Sequence, residues 1–257
     1  MGWELSERLS ELGPRVIGAT GGSGTRVLAR ITSAGGLFIG TRLNDYEDAL
    51  DFGEYSDRWI NPFVSANGSL PDAERQEMTS ELATIVERHC ADLPAEALGW
   101  GWKEPRSIYL LPYLDTVLPT LRYVHFVRDG RDMAFSENQN QLRKHGSVVL
   151  DDAERRLDAP LQSIALWTAV NLRAADYGES VLRDRYLRVR FEDLCTEPAA
   201  TARSVYEFFG LEGDAEGMAV EAVRPPSTLG RWRNEKTTTV KALQEIATPA
   251  LERFGYV

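Results

Sequence analysis

Cysteine and histidine are scarce in this chain, and their scarcity removes whole classes of function. Two cysteines and three histidines occur in 257 residues. Cys90 and Cys195 lie far apart with no C-x-x-C spacing, and the histidines are scattered rather than clustered. That pattern suits neither a zinc site nor a disulfide framework, so both thiols read as small apolar packing groups and no metal is expected. No apolar run is long enough to cross a bilayer and no charged-then-apolar leader opens the chain, which predicts neither a membrane span nor a signal peptide and points to the cytoplasm. Positive charge is in the minority: 29 lysines and arginines face 39 aspartates and glutamates, a net charge of −10. Such a balance disfavours nonspecific nucleic-acid binding, so no nucleic-acid partner is expected and any anion site must be locally concentrated.

What is present is globular in composition, 43% hydrophobic and 26% charged, without an internal repeat, a low-complexity tract or a linker-like shift. One domain over residues 1–257 is expected. Its organising stretch is Arg15 to Leu28, RVIGATGGSGTRVL: an apolar run, a glycine-rich loop and the start of an amphipathic helix. Gly21, Gly22 and Gly24 allow the backbone to turn several N–H groups onto one anion, and Ser23 and Thr25 add hydroxyls. The common nucleotide fingerprints both fail. No lysine stands where a Walker loop needs one, and Val27 takes the place of the third glycine of a dinucleotide loop. The loop reads either as an oxyanion cradle or as a plain tight turn.

Along the chain, Trp3 to Leu12 forms an opening helix stopped by Gly13-Pro14. A helix carrying Val27, Leu28 and Ile31 ends at Gly35-Gly36, and Leu37 to Ile39 is the second strand. An acidic cluster follows, Asn44, Asp45, Glu47, Asp48 and Asp51, which is either a helix cap or a site. Asn61 to Gly68 reads as loop, Pro71 to His89 as a packing helix, and Leu98 to Trp102 as a strand ending in Lys103-Glu104-Pro105-Arg106. Lysine is rare among the basic residues, so Lys103 at a strand end hints at chemistry; a surface lysine beside a turn is the alternative. The buried strand Leu121 to Val127 delivers Arg128 to the same sheet edge as the glycine loop, with Ser136 in the first turns of the next helix. His125, inside that strand, reads as a core histidine. Asn138 to Asp158 is polar and reads as a mobile cover. A helix from Pro160 to Leu182, a strand from Tyr186 to Phe191 and a helix from Ala199 to Phe209 complete an α/β pattern of three layers, with a mainly parallel central sheet flanked by helices. Pro225 to Gly230 then presents Arg231, Trp232 and Arg233, which suit an anionic aromatic ligand or a salt-bridged turn.

GGSGTR after strand one, RDGRDMAFS after a central strand, FEDL after a later strand and GRWRN near the end resemble, in that order, the signatures of sulfotransferases that use 3′-phosphoadenosine 5′-phosphosulfate. The resemblance spans Val16 to Asn234. It implies a P-loop-like cradle for the 5′-phosphosulfate at Gly22 to Arg26, and Arg128 with Ser136 on the 3′-phosphate. Phe191 would lie by the adenine, with Arg231 to Arg233 folded over the 3′-phosphate side. Lys103 is similar to a lysine that contacts the transferring sulfuryl group in tyrosyl-protein-type members. Family members usually carry lysine or arginine before Ser-Gly-Thr, where this chain has Gly22.

Implied is a transferase that moves a sulfuryl group to an acceptor alcohol (carbohydrate, small metabolite or tyrosine), with adenosine 3′,5′-bisphosphate as product. A sulfuryl group carries less charge than a terminal phosphoryl group, so hydrogen bonds and one or two cations suffice for an in-line transfer, without a metal. Lys103 and Arg26 are the candidate cations. Asp48 is the first candidate general base, Asp45 the second and Glu104 the third. The expected acceptor region lies around residues 53 to 70 and 138 to 158, where Tyr55, Trp59 and Phe63 either line a pocket or pack beneath a loop. A P-loop kinase or nucleotide hydrolase, and a non-catalytic nucleotide-binding module, are the rival readings.

Overall fold

The computed structural model describes residues 3–257; the first two positions of the expected 1–257 domain lie outside them. The strands are β1 (Arg15–Ala19), β2 (Leu37–Phe38), β3 (Gly99–Lys103), β4 (Arg122–Val127) and β5 (Tyr186–Arg190). All pair in parallel, in the order β2-β3-β1-β4-β5. Ile17 lies level with Lys103 on one side and with Val124 on the other. The chain therefore leaves β1 in one direction for β2 and β3 and in the other for β4 and β5. The crevice above the carboxyl ends of β3, β1 and β4 is where such sheets take ligands.

Alternation along the strands makes two buried faces. Val16 and Tyr123 enter a core with Phe52, Trp59, Trp100 and Trp102. Ile17, Val124 and Phe126 enter another, with Leu28, Val205 and Phe209. Helices α1 (Glu7–Leu12), α2 (Thr25–Ala34), α3 (Leu50–Ser65), α4 (Asp72–His89), α5 (Leu111–Val117), α6 (Gly130–Ala134), α7 (Asn140–Val149) and α8 (Ala159–Tyr177) are followed by α9 (Phe191–Thr196), α10 (Pro198–Phe209), α11 (Ala215–Ala222) and α12 (Thr237–Arg253). α2, α10 and α11 supply the second core, while α3, α4 and α8 supply the first. The three-layer α/β expectation holds, with a sheet that is parallel throughout.

Local differences have local causes. α1 starts at Glu7, because the Ser6 hydroxyl accepts from the Leu9 N–H and caps it there. Residues 61–65 are helical, not loop: α3 continues through Pro62, held by the burial of Trp59, Ile60 and Phe63. Tyr55 and Trp59, 2% and 4% exposed, pack the core; Phe63, 7% exposed, packs there too and also forms part of a cavity wall. The segment read as a mobile cover contains α7, which packs on α3 through Asn61: its Oδ1 lies 2.7 Å from His145 Nδ1 and its amide donates to the Lys144 carbonyl. Both thiols are half-buried and unpaired with one another, and burial pushes Cys90 up to about 12.

His125 is a fully buried core histidine, as its alternation suggests. Its Nε2 donates to Asn171 Oδ1 at 2.8 Å, since the Asn171 amide nitrogen already faces the Trp167 carbonyl; its Nδ1 accepts from Tyr186 Oη at 2.7 Å. Burial holds the ring neutral, with a pKa lowered from 6.5 to about 4. Below about pH 6.5 the unfolded chain takes up a proton that the native ring refuses until about pH 4, so native stability falls across that window as pH falls. A thermal denaturation series should show Tm dropping between those limits, and His125→Gln should make the drop shallower whatever its effect at neutral pH.

Candidate functional site

The loop after β1 is built as a cradle. Gly22 and Gly24 adopt left-handed backbone, φ +82° and +84°, while Gly21 does not need it. Gly24 is the N-cap of α2 with no side chain capping that helix; the Val27 N–H turns back to the Gly24 carbonyl, which leaves the Thr25 and Arg26 N–H groups for an anion. Ser23 is buried and donates its proton to the Thr20 carbonyl, so in this arrangement it shapes the loop. Thr25 is buried in the first turn of α2, and Arg26 is exposed beside it. A Cβ on Gly24 would sit 2.6 Å from the Phe191 ring. The aromatic at the end of β5 is thereby pressed onto the loop.

Arg128 joins three segments distant in sequence. Its guanidinium is buried, reaches the Gly22 carbonyl at 3.4 Å, and donates to the carbonyl and hydroxyl oxygens of Thr228 at 2.9 and 3.1 Å. It stacks over Phe191 at 4.8 Å. Asp132, one turn on, is the hub beneath it: it accepts from Arg128, from the Gly230 N–H at 2.7 Å and from the Trp232 N–H at 3.3 Å. Trp232 lies between the Arg131 and Arg233 guanidinium groups, at 4.0 and 4.7 Å. Arg231 donates to the carbonyls of Thr228 and Phe135. Ser136 follows α6 rather than lying within it, and its hydroxyl is 3.5 Å from where a Gly22 side chain would begin.

Three buried polar atoms in this neighbourhood have no protein partner: Thr20 Oγ1, Arg128 Nε and Trp232 Nε1. Buried donors are ordinarily paired, so unsatisfied N–H and O–H groups around a glycine loop fit an anionic ligand.

At the end of the neighbouring strand, Lys103 is 1% exposed and donates to Asp48 Oδ1 and to the Tyr46 carbonyl, both at 2.5 Å. Burial lowers its pKa, opposed by Asp48. Asp48 keeps about a quarter of its side chain in solvent. Glu104 is buried, with its pKa raised by burial, and both its oxygens are taken by the Arg106 N–H and guanidinium. Asp45 is exposed and outside these contacts. No contact joins Arg26 to Lys103, whose donors go to residues 46 and 48. The sequence names Asn44 within the 44–51 cluster but assigns it no part beyond a helix cap, and assigns none to Asp132 or Thr228; for Asp132 the available signal is its place within RDGRD, one turn past Arg128. A cavity of about 1240 Å³ lies elsewhere, walled by Phe63, Tyr109, Tyr113 and Val170. Of the residues expected to shape an acceptor region, Phe63 lines it, with Val64, Asn67 and Gly68; none of the candidate catalytic or nucleotide-binding residues does. Among the described residues no three His, Cys, Asp or Glu side chains gather as a metal site, and no helix is long and apolar enough to cross a membrane.

The sequence profile of the sulfotransferase family matches residues 40–215. The chain belongs to the sulfotransferase family. It is 30% identical to human carbohydrate sulfotransferase 5 over 179 residues, 57% of this chain and 43% of that protein. It is 24% identical to protein-tyrosine sulfotransferase A of Caenorhabditis elegans over 174 residues, 60% and 44% of the two chains. The chain thus spans less than half the length of these curated relatives. The fold is shared with the sulfotransferase domain of the Synechococcus PCC 7002 olefin synthase, at a TM-score of 0.59 and 19% identity over all of this chain and 99% of that one. It is shared also with sulfotransferase STF9 of Mycobacterium avium, at 0.56 and 14% over 95% and 77%. For this sulfotransferase-family chain, Gly24→Ala forces a side chain into left-handed backbone and into Phe191. Strain of about 1–3 kcal/mol should lower the stability of the folded chain by about that amount in urea denaturation.

Proposed function

We propose that this protein transfers the sulfuryl group of 3′-phosphoadenosine 5′-phosphosulfate to an acceptor hydroxyl. The observation that carries the reading is the buried Lys103–Asp48 pair at the end of β3, one strand from a glycine loop ringed by unsatisfied donors. The loop N–H groups and the Arg128 cluster would hold the 5′ and 3′ ends of the nucleotide, with Trp232 and Phe191 as apolar surfaces. Gly22 lacks the usual basic side chain, and the Arg128 guanidinium, drawn to the Gly22 carbonyl, brings positive charge to that point.

In this mechanism Asp48 takes the proton of the acceptor hydroxyl, the acceptor oxygen bonds to sulfur, and the bond from sulfur to the bridging phosphate oxygen breaks. Adenosine 3′,5′-bisphosphate leaves with the electron pair. An ammonium group has three N–H donors and Lys103 spends two on protein, leaving one for the transferring group. Protonation of Asp48 removes the charge that neutralises Lys103 and strengthens its pull on the departing oxygen. Asp48 is preferred to Glu104, whose oxygens are held by Arg106, and to Asp45, which lies outside the pair. Arg26, exposed on the first turn of α2, is the second cation of the proposal.

A carbohydrate hydroxyl is the favoured acceptor. Several of the matched relatives are carbohydrate sulfotransferases, and Tyr46, 68% exposed beside Asp48, offers an aromatic face to a sugar ring. A panel of oligosaccharides, phenols and a tyrosine peptide assayed with labelled donor should show label on the oligosaccharides first. Adenosine 3′,5′-bisphosphate should raise Tm more than ATP with Mg²⁺; the reverse order would favour a kinase or nucleotide hydrolase, and binding without transfer to any acceptor a non-catalytic module. Lys103→Met should cost about 100-fold in turnover. Asp48→Asn should abolish transfer while nucleotide affinity stays near wild type.

A further inference from the structure

The stretch from residue 42 to residue 50 is a small hairpin rather than a helix cap. Leu43 and Ala49 form an antiparallel bridge, the Leu50 N–H donates to the Arg42 carbonyl at 3.0 Å, and the Asn44 N–H donates to the Asp48 carbonyl at 3.0 Å. Glu47 closes the turn in left-handed backbone, φ +62°, and is tied outward by an ion pair with Arg30. A non-glycine residue there is costly by itself, so the turn needs other support.

Asn44 supplies it. Its Oδ1 accepts from the Tyr46 N–H at 2.8 Å and from the Asp48 N–H at 2.9 Å. Both partners are donors only, which fixes the amide oxygen toward them and turns the amide nitrogen to Asp48 Oδ2, at 3.1 Å. Lys103 holds the other oxygen of the same carboxylate. Asp48 is thus gripped at both oxygens, once by a cation and once by a neutral donor, while remaining partly open to solvent.

We propose that Asn44 is a positioning residue that aims the Asp48 carboxylate by donating to its Oδ2 while Lys103 holds Oδ1; its part in the reaction rests on the reading of Asp48 as the base. Charged groups near Asp48 are Lys103 and Glu104 at the end of β3, the latter bonded to Arg106, and Glu47 on the same hairpin, bonded to Arg30. Asn44 is the uncharged member of this set. A hydrogen bond given to the charged form of a carboxylate favours that form.

Asn44→Asp keeps an oxygen for the Tyr46 and Asp48 N–H groups but replaces the donor facing Asp48 Oδ2 with an acceptor, separating turn building from positioning. In carbon-13 carboxyl NMR titrations of the full chain, with the Asp48 signal assigned by its loss in Asp48→Asn, the midpoint should rise by about one pH unit in Asn44→Asp. Affinity for adenosine 3′,5′-bisphosphate should not change. If Asn44→Asp does not fold, Asn44→Ser, whose hydroxyl can still accept from the turn but is too short for Asp48, should show the same rise. An unmoved midpoint in the folded variant overturns the proposal. Because this readout needs no turnover, it is separable from the base assignment: full transfer activity in Asp48→Asn would sink that assignment and leave the NMR result standing.

Discussion

The ammonium of Lys103 is withdrawn from water at the end of a central strand, and the arrangement around it follows from that. A buried cation is tolerated only where its donors are matched by acceptors and its charge by a counter-ion. The Tyr46 carbonyl and the Asp48 carboxylate meet those needs. To bring both to one point, the chain after β2 must double back within a few residues, which is what the 42–50 hairpin does. The hairpin in turn sets where α3 begins: the Ala49 N–H bonds to the Lys103 carbonyl, and helix follows at once. A single desolvated charge therefore links β3, the turn that carries the proposed base and the first helix of one core.

Arg128 plays the corresponding part on the other side of β1. Its guanidinium draws the glycine loop, α6 and the segment at Thr228 together, with Asp132 accepting from Arg128 and from the Gly230 and Trp232 N–H groups. Glu192 extends the same logic outward. Its carboxylate accepts from the Asp129 N–H and from the Tyr256 hydroxyl, which fastens the final residues of the chain to the start of α6. Burial pushes its pKa up against those donors. The two cations flank one strand from opposite sides, which suits a group transferred between a bound nucleotide and a second substrate.

Much of this was legible in the sequence because it depends on local patterning. The glycine spacing, the apolar runs of β1 and β4 and the basic residues following strands each predict their own element and its place at the sheet edge. His125 read as core for the same reason, since alternation along a strand assigns a face. Reading failed where long-range burial overrides local signals. Asn61 to Gly68 looks like loop by composition, yet the apolar contacts of Trp59, Ile60 and Phe63 carry the helix through Pro62. The polar stretch after Asn138 looks free, yet His145 and Lys144 pin α7 to α3.

By itself, the sequence determined the α/β class, the glycine loop after β1 and the basic residues at the sheet edge, because periodicity and backbone freedom are properties of neighbours along a chain. Only the tertiary structure decided which groups share a charge. That Lys103 pairs with Asp48 rather than with Glu104, that Arg128 reaches Gly22, and that Asn44 holds a carboxylate rather than a helix end all depend on parallel strands placing distant residues at one edge. There, desolvation makes every unmatched donor costly and so selects the pairing.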